Sequence, residues 1–287
     1  MADYLDATRI RALAAQLDLR PSKGRGQNFL FDANTVRRIV NLAEVADDDT
    51  VLEIGPGLGS LTAGLLHTPA RVLAVEIEPA LARQLPATMA ELVPDKVEHL
   101  TVVEADALRM TPATLATLAA DSSPAALPTT LVANLPYNIS VPVILHLLAQ
   151  FPSIRRGLVM VQLEVADRLV APPGSRVYGV PSAKLAWYAT ASRVGLVPAT
   201  VFWPAPNVES GLVRFTRHDP PAADREATFA LVDAAFSQRR KMLRSALAGK
   251  YGPGISGVLS QAGISPEARG ETLSIEDFAR LAVCLAA

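Results

Sequence analysis

Short apolar runs alternate with amphipathic stretches along residues 1–218. Runs of roughly four to eight apolar residues that end in glycine, proline or an acid are typical of buried strands, whereas apolar residues three and four positions apart indicate helices. We predict seven strands, at 50–54, 71–75, 97–103, 129–133, 157–161, 192–197 and 211–215. The last run alternates apolar and polar residues, and we expect this strand to be antiparallel to its neighbour.

Helical patterns lie between the predicted strands, within residues 1–20, after the capping residue Asp32, within 111–128, and at 141–149 and 182–188. This alternation predicts an α/β fold with a Rossmann-like, doubly wound sheet over residues 1–218. Residues 219–224 combine prolines and aspartates and are interpreted as a linker. The remaining pattern indicates only short helices, at 228–236, 241–247, 257–261 and 275–285. Residues 219–287 are therefore predicted to form a small all-helical C-terminal domain.

Composition indicates a globular protein, since half of the 287 residues are hydrophobic. The net charge is only -1, so any basic surface that binds nucleic acid must be local. The single cysteine, Cys284, cannot form an intramolecular disulfide, which favours the reducing cytoplasm. The four histidines are scattered, so we predict no metal site. We also predict no signal peptide and no membrane span, and the absence of a dimerisation pattern favours a monomer.

The first predicted strand runs directly into a glycine-rich turn, Gly55-Pro56-Gly57-Leu58-Gly59. Glycines at alternate positions let the backbone turn tightly and approach a ligand closely. The spacing differs from the G-x-G-x-x-G of dinucleotide folds, and an acid, Glu53, precedes the turn. A carboxylate here would repel a pyrophosphate but would favour a ligand that carries an amino group and a sulfonium.

Acidic residues follow the next two strands. Glu76 lies where a carboxylate can hold two ribose hydroxyls, and Asp106 lies where it can accept a hydrogen bond from an adenine amino group. Taken singly, each acid could be a solvated turn residue. Because parallel strands end at one edge of a sheet, however, Gly55, Glu76 and Asp106 are expected to lie together. They would form a nucleoside site without a phosphate anchor, and S-adenosylmethionine is the cofactor that matches it.

The fourth predicted strand ends in Asn134-Leu135-Pro136-Tyr137. An aromatic ring can stack on a flat base, while an asparagine side chain and backbone carbonyls can accept hydrogen bonds from an amino group. This combination suits a planar exocyclic amine such as the N6 of adenine. The alternative is an ordinary turn from strand to helix, in which Pro136 fixes φ, Tyr137 packs locally and Ser140 caps the following helix.

Three further segments carry candidate contacts to nucleic acid. Residues 20–30 are basic and rich in glycine, and form either a solvated loop or a flap with cations for phosphate. Residues 202–210 hold Phe202 and Trp203 among prolines, which we expect to keep both rings rigid and exposed. Residues 236–247 carry four cations and no acid, a pattern that is either a solvated helix face or a basic patch for RNA.

Together these segments resemble the ribosomal RNA adenine dimethyltransferase family, and within it the branch that acts on the small subunit. The motifs are Gln27-Asn28-Phe29-Leu30, Glu53 to Gly59, Asn134 to Ser140, Phe202 to Ser210 and Phe236 to Lys241. The resemblance runs from about Gln27 to the C-terminus and implies a class I methyltransferase that makes N6,N6-dimethyladenosine at two adjacent adenosines near the 3′ end of 16S rRNA. This sequence departs from the family at Leu163, where lysine is frequent, and at Trp203 and Ala205.

The resemblance also implies roles for residues. The residues expected to contact S-adenosylmethionine are Asn28, Leu30, Gly55, Gly57, Glu76, Ile77, Asp106, Ala107 and Asn134. In catalysis, Asn134 and the carbonyl of Leu135 or Pro136 would accept the N6 hydrogens, and Tyr137 and Phe202 would clamp the flipped base. No general base is required. The residues expected to grip RNA phosphates are Lys23, Arg25, Arg239, Arg240, Lys241 and Arg244.

Three other functions share parts of this pattern. Resistance methyltransferases that act on large-subunit RNA share the N-terminal motifs, but the segment Gln238 to Lys241 favours the small-subunit branch. DNA adenine methyltransferases carry a similar Asn/Asp-Pro-Pro-Tyr motif, whose second proline is missing here. An RNA-binding factor that checks maturation of the small subunit is the third, and this role could coexist with methylation.

Overall fold

The computed structural model describes residues 4–20, 27–118 and 127–286, and the chain divides into two compact units. The first unit comprises residues 1–166 and 192–217, and the second comprises residues 167–191 and 218–287. The predicted residues Lys23 and Arg25 lie outside the described part. No helix in the described part is long and apolar enough to cross a membrane.

The elements up to the sixth strand are α1 (Ala7–Gln16), β1 (Phe29–Leu30), α2 (Ala33–Ala43), β2 (Thr50–Ile54), α3 (Ser60–Leu66), β3 (Arg71–Glu76), α4 (Pro79–Leu92), β4 (Leu100–Glu104), α5 (Pro112–Leu118), β5 (Thr130–Asn134), α6 (Ser140–Gln150) and β6 (Arg156–Gln162). The later elements are α7 (Leu163–Leu169), α8 (Val180–Ala186), β7 (Ala189–Val197), β8 (Phe202–Trp203), β9 (Ser210–Arg217), α9 (Arg225–Ser237), α10 (Leu243–Tyr251), α11 (Ile255–Gln261) and α12 (Ile275–Ala286).

The main sheet has seven strands in the order β4-β3-β2-β5-β6-β9-β7, which confirms the predicted Rossmann-like fold. Strands β4, β3, β2, β5 and β6 are parallel, and the chain reverses order between β4 and β5. Strand β9 pairs with β6 antiparallel, as its alternating pattern predicted. Strand β2 is buried along its whole length, as expected of a central parallel strand that is covered on both faces. The carboxyl ends of β2, β3 and β5 therefore meet at one edge.

Two details of the sheet differ from the prediction. Strand β4 begins at Leu100 and not at Val97, because Pro94–His99 forms a 3₁₀ helix that Pro94 initiates with its fixed φ. In addition, Phe29–Leu30 forms a small antiparallel ladder with Phe202–Trp203, although the glycine-rich segment was expected to lack regular structure.

This ladder also corrects the expectation that both aromatic rings after β7 are exposed. Phe202 lies opposite Leu30 and is only 3% exposed. Trp203 lies opposite Phe29 and is half-buried, and the two rings stack with their centroids 6.4 Å apart. The neighbouring prolines do not keep Phe202 exposed, because the partner strand that buries it lies far away in sequence.

The second unit is a helical bundle with its own core. Leu231 and Val232 of α9, Leu247 of α10, Leu259 of α11 and Phe278 of α12 are all essentially inaccessible to solvent. Residues 167–191 belong to this unit, although the sequence placed them before the linker.

The physical reason lies in the contacts between α8 and α9. The Trp187 ring meets Phe229 edge-on with centroids 5.8 Å apart, and the Lys184 ammonium lies 2.8 Å from Asp233. Helix α10 begins at Leu243 and not at Lys241, because the Lys241 amide closes a turn onto the Gln238 carbonyl at 2.8 Å.

Candidate active site

A cavity of about 510 Å³ opens at the carboxyl ends of β2, β3 and β5 in the first unit. It brings together most of the predicted cofactor and target residues. The predicted residues among its walls are Asn28, Leu30, Gly55, Gly57, Glu76, Ile77, Asp106, Ala107, Asn134, Leu135, Pro136 and Tyr137. Phe202 is not part of these walls, and it is buried opposite Leu30 in the ladder with β1.

The glycine turn after β2 forms the floor of the cavity. Gly55 has φ +67° and donates its amide to the Val75 carbonyl at 2.9 Å, which ties the turn to β3. Gly57 has φ +58°, and a Cβ atom there would lie only 3.0 Å from Cε1 of Phe29. Glycine is therefore required at this position both for its conformation and for the close approach of the Phe29 ring.

Glu76 ends β3 with its carboxylate buried beside the glycine turn. Its two oxygens accept hydrogen bonds from the Glu78 amide at 2.9 Å and the Gly57 amide at 3.1 Å. Burial raises the pKa of Glu76 above its ordinary value, although these backbone donors oppose the shift. The amides thus hold the carboxylate at the sheet edge, where the sequence placed a ligand for ribose hydroxyls.

Glu53 lies inside β2 and is 1% exposed. Burial raises its pKa to about 8, a hydrogen bond from the Thr62 hydroxyl at 2.7 Å opposes the shift, and the nearby charge of Glu76 adds to it. A cation in the cavity would favour the ionised form of this carboxyl group. Thr62 carries no sequence signal of its own, since it looks like any polar residue of α3.

The adenine end of the predicted cofactor site is built from Asp106, Ala107 and Ile77. The Asp106 side chain accepts the Leu108 amide at 2.9 Å, which fixes the carboxylate at the start of the turn. Ala107 is buried, whereas Ile77 is 66% exposed and presents an apolar side chain at the mouth of the cavity. An exposed apolar residue beside a carboxylate suits a flat base with an amino group.

Side chains of α3 and β5 contact the N-terminal segment beside the cavity. Ser60 at the start of α3 donates its hydroxyl to the Leu30 carbonyl. The Asn134 side-chain nitrogen donates to the Asn28 carbonyl at 3.4 Å, which leaves the side-chain oxygen of Asn134 as the acceptor end of the amide. Ser60 was not recognised from the sequence, because its partner is a backbone atom 30 residues away.

Tyr137 lies in the turn after β5 and is half-buried. Its phenol oxygen lies 2.8 Å from the Ser210 hydroxyl, and its carbonyl accepts the Ser140 hydroxyl at 3.3 Å. Burial raises the pKa of Tyr137, with the hydrogen bond to Ser210 acting in the opposite direction. The predicted helix-capping role of Ser140 is wrong, because Ser140 is the first residue of α6 and its hydroxyl donates to a carbonyl instead of accepting a backbone amide. Ser210 was not assigned any role from the sequence.

Four of the basic residues predicted to bind RNA belong to the second unit, and their surroundings differ. Arg239 donates to Glu271 at 2.8 Å and to the Arg176 carbonyl at 2.7 Å. Arg244 lies 3.4 Å from Glu267, in a more exposed pair. Arg240 and Lys241 are exposed. The run has no acid in sequence, yet the fold brings acids from near α12 and α11 to two of its cations.

The sheet order, the glycine turn and the carboxylates at its edge define a class I methyltransferase, and S-adenosylmethionine is its cofactor. The family model for ribosomal RNA adenine dimethylase matches residues 20–287. The chain belongs to the ribosomal RNA adenine dimethylase family.

Two curated relatives are similar over nearly the whole chain. A ribosomal RNA small subunit methyltransferase A of Cutibacterium acnes is 58% identical, and the match covers 98% of this chain and 94% of the relative. A protein of the same name from Kineococcus radiotolerans is 57% identical over 98% of this chain and 92% of its own length.

Two solved structures have similar folds. The dimethyladenosine transferase of Plasmodium falciparum superposes with a TM-score of 0.73 at 22% identity, over 88% of this chain and 95% of that one. The 23S rRNA methyltransferase ErmE superposes with a TM-score of 0.63 at 27% identity, over 91% of this chain and 100% of that one.

Proposed function

We propose that this protein dimethylates the N6 of two adjacent adenosines near the 3′ end of 16S rRNA in the small ribosomal subunit. Family membership and the names of the 57–58% identical relatives support the substrate class. One observation carries the chemistry: the turn from Asn134 to Tyr137 lines the same cavity as the glycine turn and Glu76. A base stacked on Tyr137 would therefore present its amino group inside the cofactor cavity.

The cofactor, when bound, supplies an electrophilic methyl group on a sulfonium. The protein residues then have three tasks. Glu76 would hold ribose hydroxyls and Asp106 would accept from the cofactor's adenine, while buried Glu53 would favour the cationic end. Glu53 is buried, so its interaction with a nearby cation would be stronger than that of an exposed carboxylate.

The target nitrogen needs orientation more than proton transfer. Its lone pair is delocalised into the ring, so acceptors that hold its hydrogens favour a more pyramidal and more nucleophilic nitrogen. The Asn134 side-chain oxygen and the Leu135 or Pro136 carbonyl are the proposed acceptors, and Tyr137 is the proposed stacking surface. After each transfer the nitrogen loses a proton to a carbonyl or water, and a second round completes dimethylation.

Phe202, buried opposite Leu30 beside the cavity, is retained as the proposed second face of the clamp on the base. We retain the exposed Arg240 and Lys241, together with Lys23 and Arg25 of the segment outside the described residues, as proposed phosphate contacts. A cytoplasmic, monomeric enzyme that also monitors maturation of the small subunit is part of the same proposal.

Labelled-methyl transfer from S-adenosylmethionine tests the function directly. Unmethylated small subunits, large subunits and naked 16S rRNA are compared, and the modified base is identified after digestion. We expect N6,N6-dimethyladenosine on the small subunit, and loss of transfer in Asn134→Ala. Label on large-subunit RNA instead would favour a second candidate function, methylation of large-subunit rRNA. This candidate rests on the similarity to the 23S rRNA methyltransferase ErmE, with 27% identity and a TM-score of 0.63. Normal cofactor binding without transfer to any RNA would favour an assembly factor.

A further inference from the structure

The hydrogen bond between Tyr137 and Ser210 joins two residues that are 73 positions apart. Ser210 is completely buried, with 0% of its surface exposed, whereas Tyr137 is half-buried and lines the cavity. The oxygens are 2.8 Å apart, which is the usual length for two hydroxyl groups. Both residues belong to the first unit.

The two residues lie on opposite sides of β6. Ser210 starts β9 and lies opposite Gln162 in the antiparallel ladder, and the Leu163 amide donates to the Glu209 carbonyl at 3.0 Å. The turn that carries Tyr137 follows β5, and the Leu135 amide donates to the Met160 carbonyl of β6 at 3.1 Å. The backbone near both ends of the hydrogen bond is thus fixed to one central strand.

An aromatic side chain in a turn can rotate about its Cα–Cβ and Cβ–Cγ bonds, and its face is useful for stacking only in one orientation. The Ser140 hydroxyl contacts the Tyr137 carbonyl at 3.3 Å and restrains the backbone, but it cannot fix the ring. Ser210 contacts the far end of the same side chain. Because the phenol oxygen lies on the axis of the Cβ–Cγ bond, this hydrogen bond restrains rotation about Cα–Cβ and so fixes the direction in which the ring points.

We propose that Ser210 is a positioning residue for methyl transfer, which holds the Tyr137 side chain where its ring can stack on the target adenine. This inference rests on the proposed function, since it assumes that Tyr137 meets a flipped base. It assigns Ser210 no contact with substrate or cofactor. Ser210 acts only through Tyr137. In a double-mutant cycle, the effects of changing the two residues on the rate should therefore not add.

The test compares Ser210→Ala, Tyr137→Phe and the double variant on unmethylated small subunits. Each single variant removes the hydrogen bond and keeps the ring. We expect each to lower kcat/KM for the subunit about 5–10-fold, as is typical when one hydrogen bond is lost. The Kd for S-adenosylmethionine should stay within about twofold, and the double variant should be no slower than either single variant. Unchanged rates in Ser210→Ala, or a double loss equal to the product of the single losses, would overturn the proposal.

Ser182→Ala is the matched control, because Ser182 is a buried serine of the second unit whose hydroxyl contacts the Arg168 carbonyl. It should lose stability but keep wild-type kcat/KM. Tyr137→Phe also tests the same hydrogen bond if Ser210→Ala does not fold.

A readout that is independent of catalysis separates this inference from the proposed function. Tyrosines labelled with ¹³C in the ring give NMR signals, of which that of Tyr137 is assigned by its loss in Tyr137→Phe. We expect one sharp environment in the wild type and a shifted or exchange-broadened one in Ser210→Ala. An unchanged Tyr137 signal in Ser210→Ala contradicts the inference, whether or not the wild type methylates small subunits. If the signal changes as expected but the wild type is inactive on small subunits, only the proposed function is contradicted.

Discussion

The Gly57 amide donates a hydrogen bond to the Glu76 carboxylate at 3.1 Å, and thereby connects the glycine turn of β2 to the end of β3. The second oxygen of Glu76 accepts the Glu78 amide. Two backbone donors therefore fix the carboxylate before a ligand arrives. A carboxylate that is already held in place would lose little further side-chain entropy on accepting hydrogen bonds from the proposed ribose hydroxyls.

Glu76→Gln should weaken S-adenosylmethionine binding about 10–100-fold, because the neutral amide replaces one acceptor oxygen with a donor that faces a backbone amide. Isothermal titration calorimetry measures the change. Glu98→Gln, which alters a carboxylate that is 80% exposed, should leave the Kd unchanged. A Glu76→Gln variant with wild-type affinity would remove Glu76 from the cofactor site.

Gly57→Ala should abolish or weaken cofactor binding by at least about tenfold. The new methyl group would lie 3.0 Å from Cε1 of Phe29, and φ is +58°. Gly263→Ala is the matched control, since Gly263 also has a positive φ, +72°, but no atom within 4 Å of the new methyl group. Both variants should lose about 1–2 kcal/mol of stability from backbone strain, but only Gly57→Ala should lose binding. Equal binding by both would show that Phe29 can move aside.

Glu53 predicts a pH dependence of stability. Its pKa is raised to about 8 in the folded protein, above the ordinary value of 4.5, so between these values the folded state holds one more proton than the unfolded state. Stability of the ligand-free protein should therefore fall as pH rises from about 5 to 8. In Glu53→Gln this dependence should be smaller, so the variant should gain stability relative to wild type as pH rises. Urea unfolding at pH 5 and pH 8 measures the free energy of unfolding of the wild type and of Glu53→Gln. If this free energy changed with pH equally in both proteins, the prediction would be contradicted.

Asp49 predicts a second dependence of stability on pH, with the opposite sign to that of Glu53. Burial alone would raise its pKa, but hydrogen bonds from the Thr129 hydroxyl and the Ala46 amide, together with the charge of Arg156, lower it below the ordinary 3.8. Asp49 therefore stabilises the folded protein fully at pH values above its pKa in the unfolded state. This stabilisation is lost as pH falls through its pKa in the folded state.

Asp49→Asn should therefore reduce the free energy of unfolding at pH 7 by about 2–4 kcal/mol, because the amide removes the charge that pairs with Arg156 and replaces one acceptor oxygen with a donor. The difference from wild type should shrink below pH 4. Glu91→Gln provides the control, as it breaks a surface ion pair with Arg9 and should change stability by less than about 1 kcal/mol. Equal losses in the two variants would contradict the assigned role of Asp49.

The basic residues of the second unit should separate into two kinds. Arg239→Gln should lower stability by about 1–2 kcal/mol, because Arg239 holds both Glu271 and the Arg176 carbonyl. Lys241→Gln should leave stability unchanged, weaken binding to 16S rRNA fragments and reduce the slope of log K against log salt by about 1. Filter binding between about 50 and 200 mM salt measures the slope. An unchanged slope in Lys241→Gln would remove this lysine from the RNA surface.

The sequence alone predicted the parallel core of the sheet, the antiparallel last strand and the sheet edge that carries Gly55, Glu76 and Asp106. These features depend on local information: hydrophobic runs set the strands, and a parallel sheet necessarily places the carboxyl ends of its strands at one edge. Glycines at positive φ are equally local, since the backbone turn itself selects the residue type.

Other features were decided by the tertiary structure. Residues 167–191 joined the helical unit, Phe202 was buried by Leu30 and its neighbours, and Arg239 found an acid 32 positions away. Ser210 reached Tyr137 across the width of β6. Each of these outcomes depends on a partner that is distant in the chain, and no pattern of neighbouring residues specifies such a partner. The sequence therefore determined which side chains reach the cavity edge, while long-range packing determined how Tyr137 and the N-terminal segment are held there.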